Sequence, residues 1–410
     1  MKKLLLVLLI LSLFINHLNA NEKDLNIIQK DKKEYRLLEK ESIQTRQQSQ
    51  KYDWISPIDL SGNIGRNHSF SDENSRNLNN KNTKSASIGF TQSIFESGGI
   101  GFKMDYADNR FKYEMLSWEN QNSQLIYTIY NTLLDIKKLK LEINQNDYRI
   151  VNKDIELIIK KIQYEAGKTD IIELNNAIMS KNLIQKEEIA LKNSLKEKEQ
   201  ELAKYTDLKY DEIEILDFQE TNKDIFLDKN YSILEADAKV EMLNSEYKIK
   251  KSQYLPKLSL SAKASYSNQD EKFNSMINDT NKDDATSSGS LILTMPLYDY
   301  TKSSKVQESK IEVLKQKALV NDLKNETAFE YEQIFTKIDT YLKQNETINK
   351  NIKLYEELIG ANQISSEAGM TSKYDLEILE NTKTINEFDI LINKINILQQ
   401  YAKLYFKIKN

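Results

Sequence analysis

The side chains that most often carry chemistry are almost missing from this chain. It has no cysteine, and its two histidines are His17 and His68. Without cysteine there is no disulfide, no thiol nucleophile and no thiolate metal site. His68 stands beside a polar stretch that reads as a surface loop, and a lone imidazole supplies neither a zinc ligand set nor a Ser-His pair. Gly98-Gly99-Ile100-Gly101 lacks the spaced third glycine and the Lys-Ser/Thr pair of a phosphate loop. Trp54 and Trp118 have two readings, anchors at a membrane interface or ordinary packing. The sequence therefore predicts no catalytic residue, no metal, no cofactor and no enzyme. What remains is the chemistry of carboxylates, hydroxyls and apolar faces, and that depends on the elements that hold them.

Of the 410 residues, 29% are charged and 39% apolar, which excludes a polytopic helical membrane protein. Residues 1–20 read as an export signal. Lys2 and Lys3 lead, Leu4 to Ile15 is apolar apart from Ser12, and Leu18-Asn19-Ala20 ends at the expected cut. Removing two lysines takes the formal charge from −4 to −6, so no nucleic-acid partner is expected. Nor is there a cysteine to carry a lipid.

The remainder reads as one unit written twice. Pro57-Ile58-Asp59-Leu60-Ser61 corresponds to Pro256-Lys257-Leu258-Ser259-Leu260-Ser261. Ile94-Phe95-Glu96 corresponds to Leu297-Tyr298-Asp299, and Tyr164 to Thr169 corresponds to Ser366 to Thr371. The offsets are 199, 203 and 202 residues. Residues 102–166, 168–255 and 297–359 contain neither glycine nor proline and are expected to be helical. In the first, Ile129, Ile136, Ile143, Ile150, Leu157 and Tyr164 recur every seven residues. Leu134, Leu141, Tyr148, Ile155 and Ile162 form a second stripe about 140° away. A seven-residue period predicts left-handed supercoiling, and two stripes predict two neighbours, as in the wall of a tube or within a bundle. The second copy is rougher. Ile334, Tyr341, Ile348 and Tyr355 form one stripe, and Asn345 interrupts the other, Tyr331, Ile338, Ile352 and Ile359. Helices of about 65 residues would be about 100 Å long, reversing at Gly167 and Gly369.

Near the prolines the period falls to two. Ile58, Leu60, Gly62 and Ile64 alternate with Asp59, Ser61, Asn63 and Gly65. Ala86, Ile88, Phe90, Gln92 and Ile94 alternate with serines, Gly89 and Thr91. Leu258, Leu260, Ala262, Ala264 and Tyr266 alternate with serines and Lys263, and Leu291, Leu293 and Met295 with Ser290, Ile292 and Thr294. One apolar face and one small polar face suit barrel strands with lipid outside and water inside. Polar loops, Ser71 to Asn82 and Asp270 to Ser288, join each pair. Four strands would leave open edges in hydrocarbon, so closure requires further copies; two give eight strands and three give twelve.

These segments resemble the TolC family of outer-membrane efflux proteins. Asn230 to Ala238 leading to Gln253-Tyr254-Leu255-Pro256-Lys257-Leu258-Ser259-Leu260-Ser261 is similar to the family's helix running into a strand. Ser93 to Gly99 and Pro296 to Asp299 resemble its strand-to-helix turns, and Tyr164 to Asp170 and Ser366 to Ser372 its hairpin tips. The resemblance implies a mainly α fold with a transmembrane β-barrel portion. Three chains, four strands each, would form a barrel continued by a long α-helical coiled-coil barrel. With the export signal 1–20 set apart, the chain divides into a first repeat 21–227 and a second repeat 228–410. In the first repeat an N-terminal helix is followed by strands about 57–70 and 84–96, a hairpin about 101–206 and a connecting segment 207–227. The second has a helix 228–254, strands about 256–268 and 288–297, and a hairpin about 301–408. The implied function is the outer-membrane channel of a tripartite efflux or type I secretion system in a Gram-negative cell. Its partners would be a homotrimer, a periplasmic adaptor (membrane fusion) protein, an inner-membrane transporter of proton-driven or ABC type, and outer-membrane lipid.

The resemblance also places a gate. The family's tip pattern falls on Tyr164, Gly167 and Thr169; the second repeat keeps Gly369 and Thr371 but has Ser366 for the aromatic residue. Gly167, Lys168, Thr169, Gly369, Met370 and Thr371 are the implied adaptor contacts. Six residues after each tip glycine stand Glu173 and Asp375, the implied pore carboxylates, with Tyr164 beside them. Ile378 occupies the position of a second pore carboxylate in some members, so one acidic ring is implied. Such a ring attracts cations and repels anions. The competing reading of Glu173 and Asp375 is a solvated helix charge. The competing functions are a periplasmic adaptor and a secreted coiled-coil structural or surface protein.

Overall fold

The computed structural model describes residues 25–70, 78–216, 218, 220–270, 282–367 and 372–409. The export signal and the second hairpin tip lie outside them. In chain order the elements are α1 (Lys30–Tyr52), β1 (Asp59–Phe70), β2 (Leu78–Phe95), α2 (Gly99–Glu165), α3 (Ile171–Leu202), α4 (Lys223–Asp228), α5 (Tyr231–Ser252), β3 (Lys257–Asp270), β4 (Lys282–Thr294), α6 (Lys302–Glu367) and α7 (Lys373–Phe406). The fold is mainly helical with one four-stranded antiparallel sheet. At 67 and 66 residues, α2 and α6 are each about 100 Å long. Among the described residues no helix is long and apolar enough to cross a membrane.

The chain divides into two compact units. One takes residues up to Lys40, Leu116–Glu235 and Asn321–Asn410; the other takes Glu41–Met115 and Ala236–Val320.

In the first unit α2 lies between α3 and α7. Towards α3 the contacts are charged, with Lys198 to Asp135 at 3.3 Å, Lys181 to Asp154 at 2.6 Å and Lys160 to Glu173 at 3.1 Å. Towards α7 they are amides. Gln399 donates to Asp135 at 2.7 Å, Gln145 donates to Asp389 at 2.7 Å, and Asn381 donates to Asn152 at 2.9 Å. Two neighbours account for two apolar stripes, and Ile129, Leu134 and Ile136 are completely buried. The interruption at Asn345 is an interhelical amide pair, Asn393 donating to Asn345 at 2.8 Å. Phe226, Ile334, Ile338, Leu404 and Ile408 form a core that ties α4, α6 and the chain end together. Trp118 is buried, and its Nε1–H donates to the Arg36 carbonyl at 2.8 Å. It is packing, not an interface anchor. Arg36 answers by donating to Asn122 at 2.6 Å and to the Trp118 carbonyl at 2.9 Å, fastening α1 to α2.

In the second unit the strand order is β1-β2-β3-β4, so β1 and β4 are edges. Leu60 faces Ile88, Ile88 faces Ala264, and Leu260 faces Leu291. The apolar positions of all four strands thus share one face. A bulge at Ser93/Phe95 puts Phe95, rather than Ile94, opposite Leu258, because the extra residue shifts the alternation there. Strand pairing also runs further than the alternation suggested. It reaches Phe70↔Leu78 and Gln269↔Lys282, inside the expected loops, because backbone ladders continue through polar residues.

Candidate functional site

The two faces of the sheet differ in chemistry as well as polarity. On one, Leu60, Ile64, Leu291 and Leu293 are 66–79% exposed. On the other, hydroxyls pair across strands: Ser61 with Ser87 at 2.8 Å, Thr91 with Ser261 at 3.0 Å, Ser93 with Ser259 at 3.3 Å, and Ser265 with Thr286 at 2.8 Å. Every one of these is a directly opposed pair in the register. The opposed hydroxyls thus satisfy one another across the strands.

The sheet is fixed at its lead-ins. Gln92, at an apolar-face position, accepts from the Ser56 N–H at 2.9 Å and donates to the Trp54 carbonyl at 2.9 Å, clamping the segment before β1. Alternation alone could not reveal that role. Ser97 (φ 51°) and Gly98 (φ 87°) turn the chain from β2 into α2, and Ser97 donates to the Pro256 carbonyl at 2.7 Å. A Cβ at Gly98 would also meet the Phe102 ring at 3.1 Å.

The first hairpin tip is built from local hydrogen bonds. The Gly167 N–H donates to the Tyr164 carbonyl at 2.9 Å and the Lys168 N–H to the Gln163 carbonyl at 2.8 Å, the paired bonds of a Schellman ending. Gly167 has φ 67°, the left-handed conformation this ending requires. Tyr164 and Lys168 are exposed and Thr169 is half-buried. Asp170 then caps α3, accepting from the Glu173 N–H at 2.9 Å. Asp170-x-x-Glu173 is a sequence-visible helix start.

Glu173 and Asp375 occupy the same position in their helices. Each stands three residues after the cap, Asp170 for α3 and Ser372 for α7. There a carboxylate gains from the helix dipole. Glu173 pairs with Lys160 at 3.1 Å, whereas Asp375 has no ion pair among the described residues. Gly369, Met370 and Thr371 lie outside the described residues. No group of three or more His, Cys, Asp or Glu is placed to hold a metal ion among the described residues.

Residues 224–403 match the family described as outer membrane efflux protein. No curated relative matches the chain. Among solved structures, the Campylobacter jejuni CmeC outer membrane channel is similar at 13% identity and TM-score 0.70, over 93% of this chain and 86% of that one. The Vibrio cholerae outer membrane protein VceC is 13% identical with TM-score 0.71, over 93% and 94%. The open state of the Neisseria gonorrhoeae MtrE outer membrane channel is 11% identical with TM-score 0.66, over 91% and 85%. The family likeness read from the sequence agrees with the match over residues 224–403, and the fold it implied is that of these channels.

Proposed function

We propose that this chain, with the outer membrane efflux family match in its second half and the fold of outer-membrane channels over nearly all its length, forms a passive outer-membrane duct for efflux or type I secretion. Three copies contribute four strands each to a closed barrel, and their paired helices continue it into the periplasm. The two repeats, 21–227 and 228–410, each supply two strands and one hairpin. The observation that carries the reading is the sheet, apolar and exposed on one side, hydroxyl-lined on the other, with both edges unpaired within the chain. Unpaired edges are not tolerated in hydrocarbon, so a copy's β4 must meet another copy's β1.

The hairpin tips, Gly167, Lys168 and Thr169 with Gly369, Met370 and Thr371, receive a periplasmic adaptor coupled to an inner-membrane transporter of proton-driven or ABC type. Asp375, Glu173 and Tyr164 form the gate. Because Lys160 offsets Glu173, Asp375 carries most of its charge. The test is membrane extraction followed by planar-bilayer recording. The duct requires detergent to leave the membrane and conducts when reconstituted. Asp375→Ala lowers cation selectivity more than Glu173→Ala does. Protein that is soluble without detergent overturns the reading, and unchanged selectivity in both variants removes both carboxylates from the pore.

A further inference from the structure

We propose that Lys263 and Asp59 form a charge pair across the polar face of the sheet that selects zwitterionic solutes; this rests on the reading that this face lines the duct. Three register facts place them. Asp59 pairs with Gly89, Gly89 with Lys263, and Lys263 with Ser288, so all four share one row and one face. From the Ser259 row to the Ser265 row, the only ionisable side chains on this face are Asp59 and Lys263. The other positions carry hydroxyls, Gly89 and Ile292. Neither Lys263 nor Asp59 has an ion pair among the described residues, and both are exposed.

Gly89 makes the arrangement. A Cβ there would come within 3.3 Å of Lys263 Cγ and 3.0 Å of the Ala262 carbonyl oxygen. The Lys263 stem therefore lies against the bare backbone of β2, on the side of Asp59's strand. A shallow depression of about 410 Å³ results, with Asp59, Ser61, Ser87, Thr91, Ser261 and Lys263 in its lining. Two strand spacings put the charged residues about 10 Å apart at the backbone. That is comparable to the screening length at physiological salt, so each end of a solute feels mainly its nearer charge. A simple anion or cation gains from one partner and loses to the other. A solute with an ammonium at one end and a carboxylate at the other gains from both, with hydroxyls to bond between.

The experiment uses the full chain in planar bilayers. Lys263→Gln is expected to lower the chloride-to-potassium permeability ratio, and Asp59→Asn to raise it, each by about twofold or more. Lys263→Arg and Asp59→Glu, which keep the charges, retain the parent ratio. Glycine betaine reduces the parent current more than sucrose does at matched viscosity, and either neutral variant abolishes the difference. Conducting channels whose ratios do not move in opposite directions, or which treat betaine like sucrose, overturn the pair and leave the duct standing. A parent protein that never conducts overturns both.

Discussion

Glu330 holds two lysines of α7 and its end at once, Lys403 at 2.8 Å and Lys407 at 2.6 Å. Burial opposes ionisation of this carboxylate, but the hydrogen bonds and charges of the two lysines outweigh it and hold its pKa below the ordinary value. Its folded pKa is lowered, so its stabilisation is full above about pH 5 and is lost as pH falls through the folded value. Glu330→Gln should therefore cost about 1–2 kcal/mol at pH 7, and the cost should shrink as the pH falls below the ordinary carboxylate range, read as thermal unfolding of detergent-solubilised protein. At Gly98 the positive φ and the Phe102 ring act together, and Gly98→Ala should lower stability by about 1–3 kcal/mol in the same assay. Single residues were the least legible part of the sequence. The heptad stripes pointed to Ile129, Leu134, Ile136 and Ile155 correctly, because burial on a helix repeats, but Tyr148, Ile162 and Tyr164 of the same stripes are exposed. The Lys160–Glu173 pair, the Gln92 clamp and the Asp59–Gly89–Lys263 row each join residues of different segments, which no local period records.

Strands and helices carried stronger signals. Alternation through β1 to β4 assigned the two faces, because most apolar residues of each strand fall on one face, with Gln92 and Ile292 as exceptions. It failed at the β2 bulge, where one added residue moved Phe95 into the position read for Ile94, and at the polar ends of β2 and β4, which continue as strand. Trp118 was ambiguous because a buried indole and an interface indole look alike until its N–H partner is known; here that partner is the Arg36 carbonyl. The faces yield a direct contrast. Ile88→Lys places a charge among the apolar side chains at a cost of about 2–4 kcal/mol in lipid and should sharply reduce membrane-extracted protein. Ser87→Lys, the next residue on the opposite face, should leave the yield near that of the parent. Equal losses in both would contradict the assignment of faces. In the helices, Ile136→Ala should cost about 3–4 kcal/mol, since the side chain is completely buried between neighbours.

At the scale of the molecule, the two halves of the sequence are not the two compact units. Each unit draws on segments from both halves. Apolar surface remains on the sheet face, and on α3 Ile172, Met179 and Leu183 are 61–65% exposed. The assembly proposed above, with further copies, would cover both surfaces. The central claim is that the two edge strands of one chain join those of its neighbours. The absence of cysteine makes this testable without background. Leu291→Cys in β4 is combined in turn with Leu60→Cys, Gly62→Cys and Ile64→Cys in β1, and membranes are oxidised before denaturing electrophoresis. β2 and β3 separate the two positions within one chain, so a disulfide can form only between chains. The account predicts covalent species ending at three chains for at least one pair. Membrane-extracted protein that stays monomeric for all three pairs would contradict it.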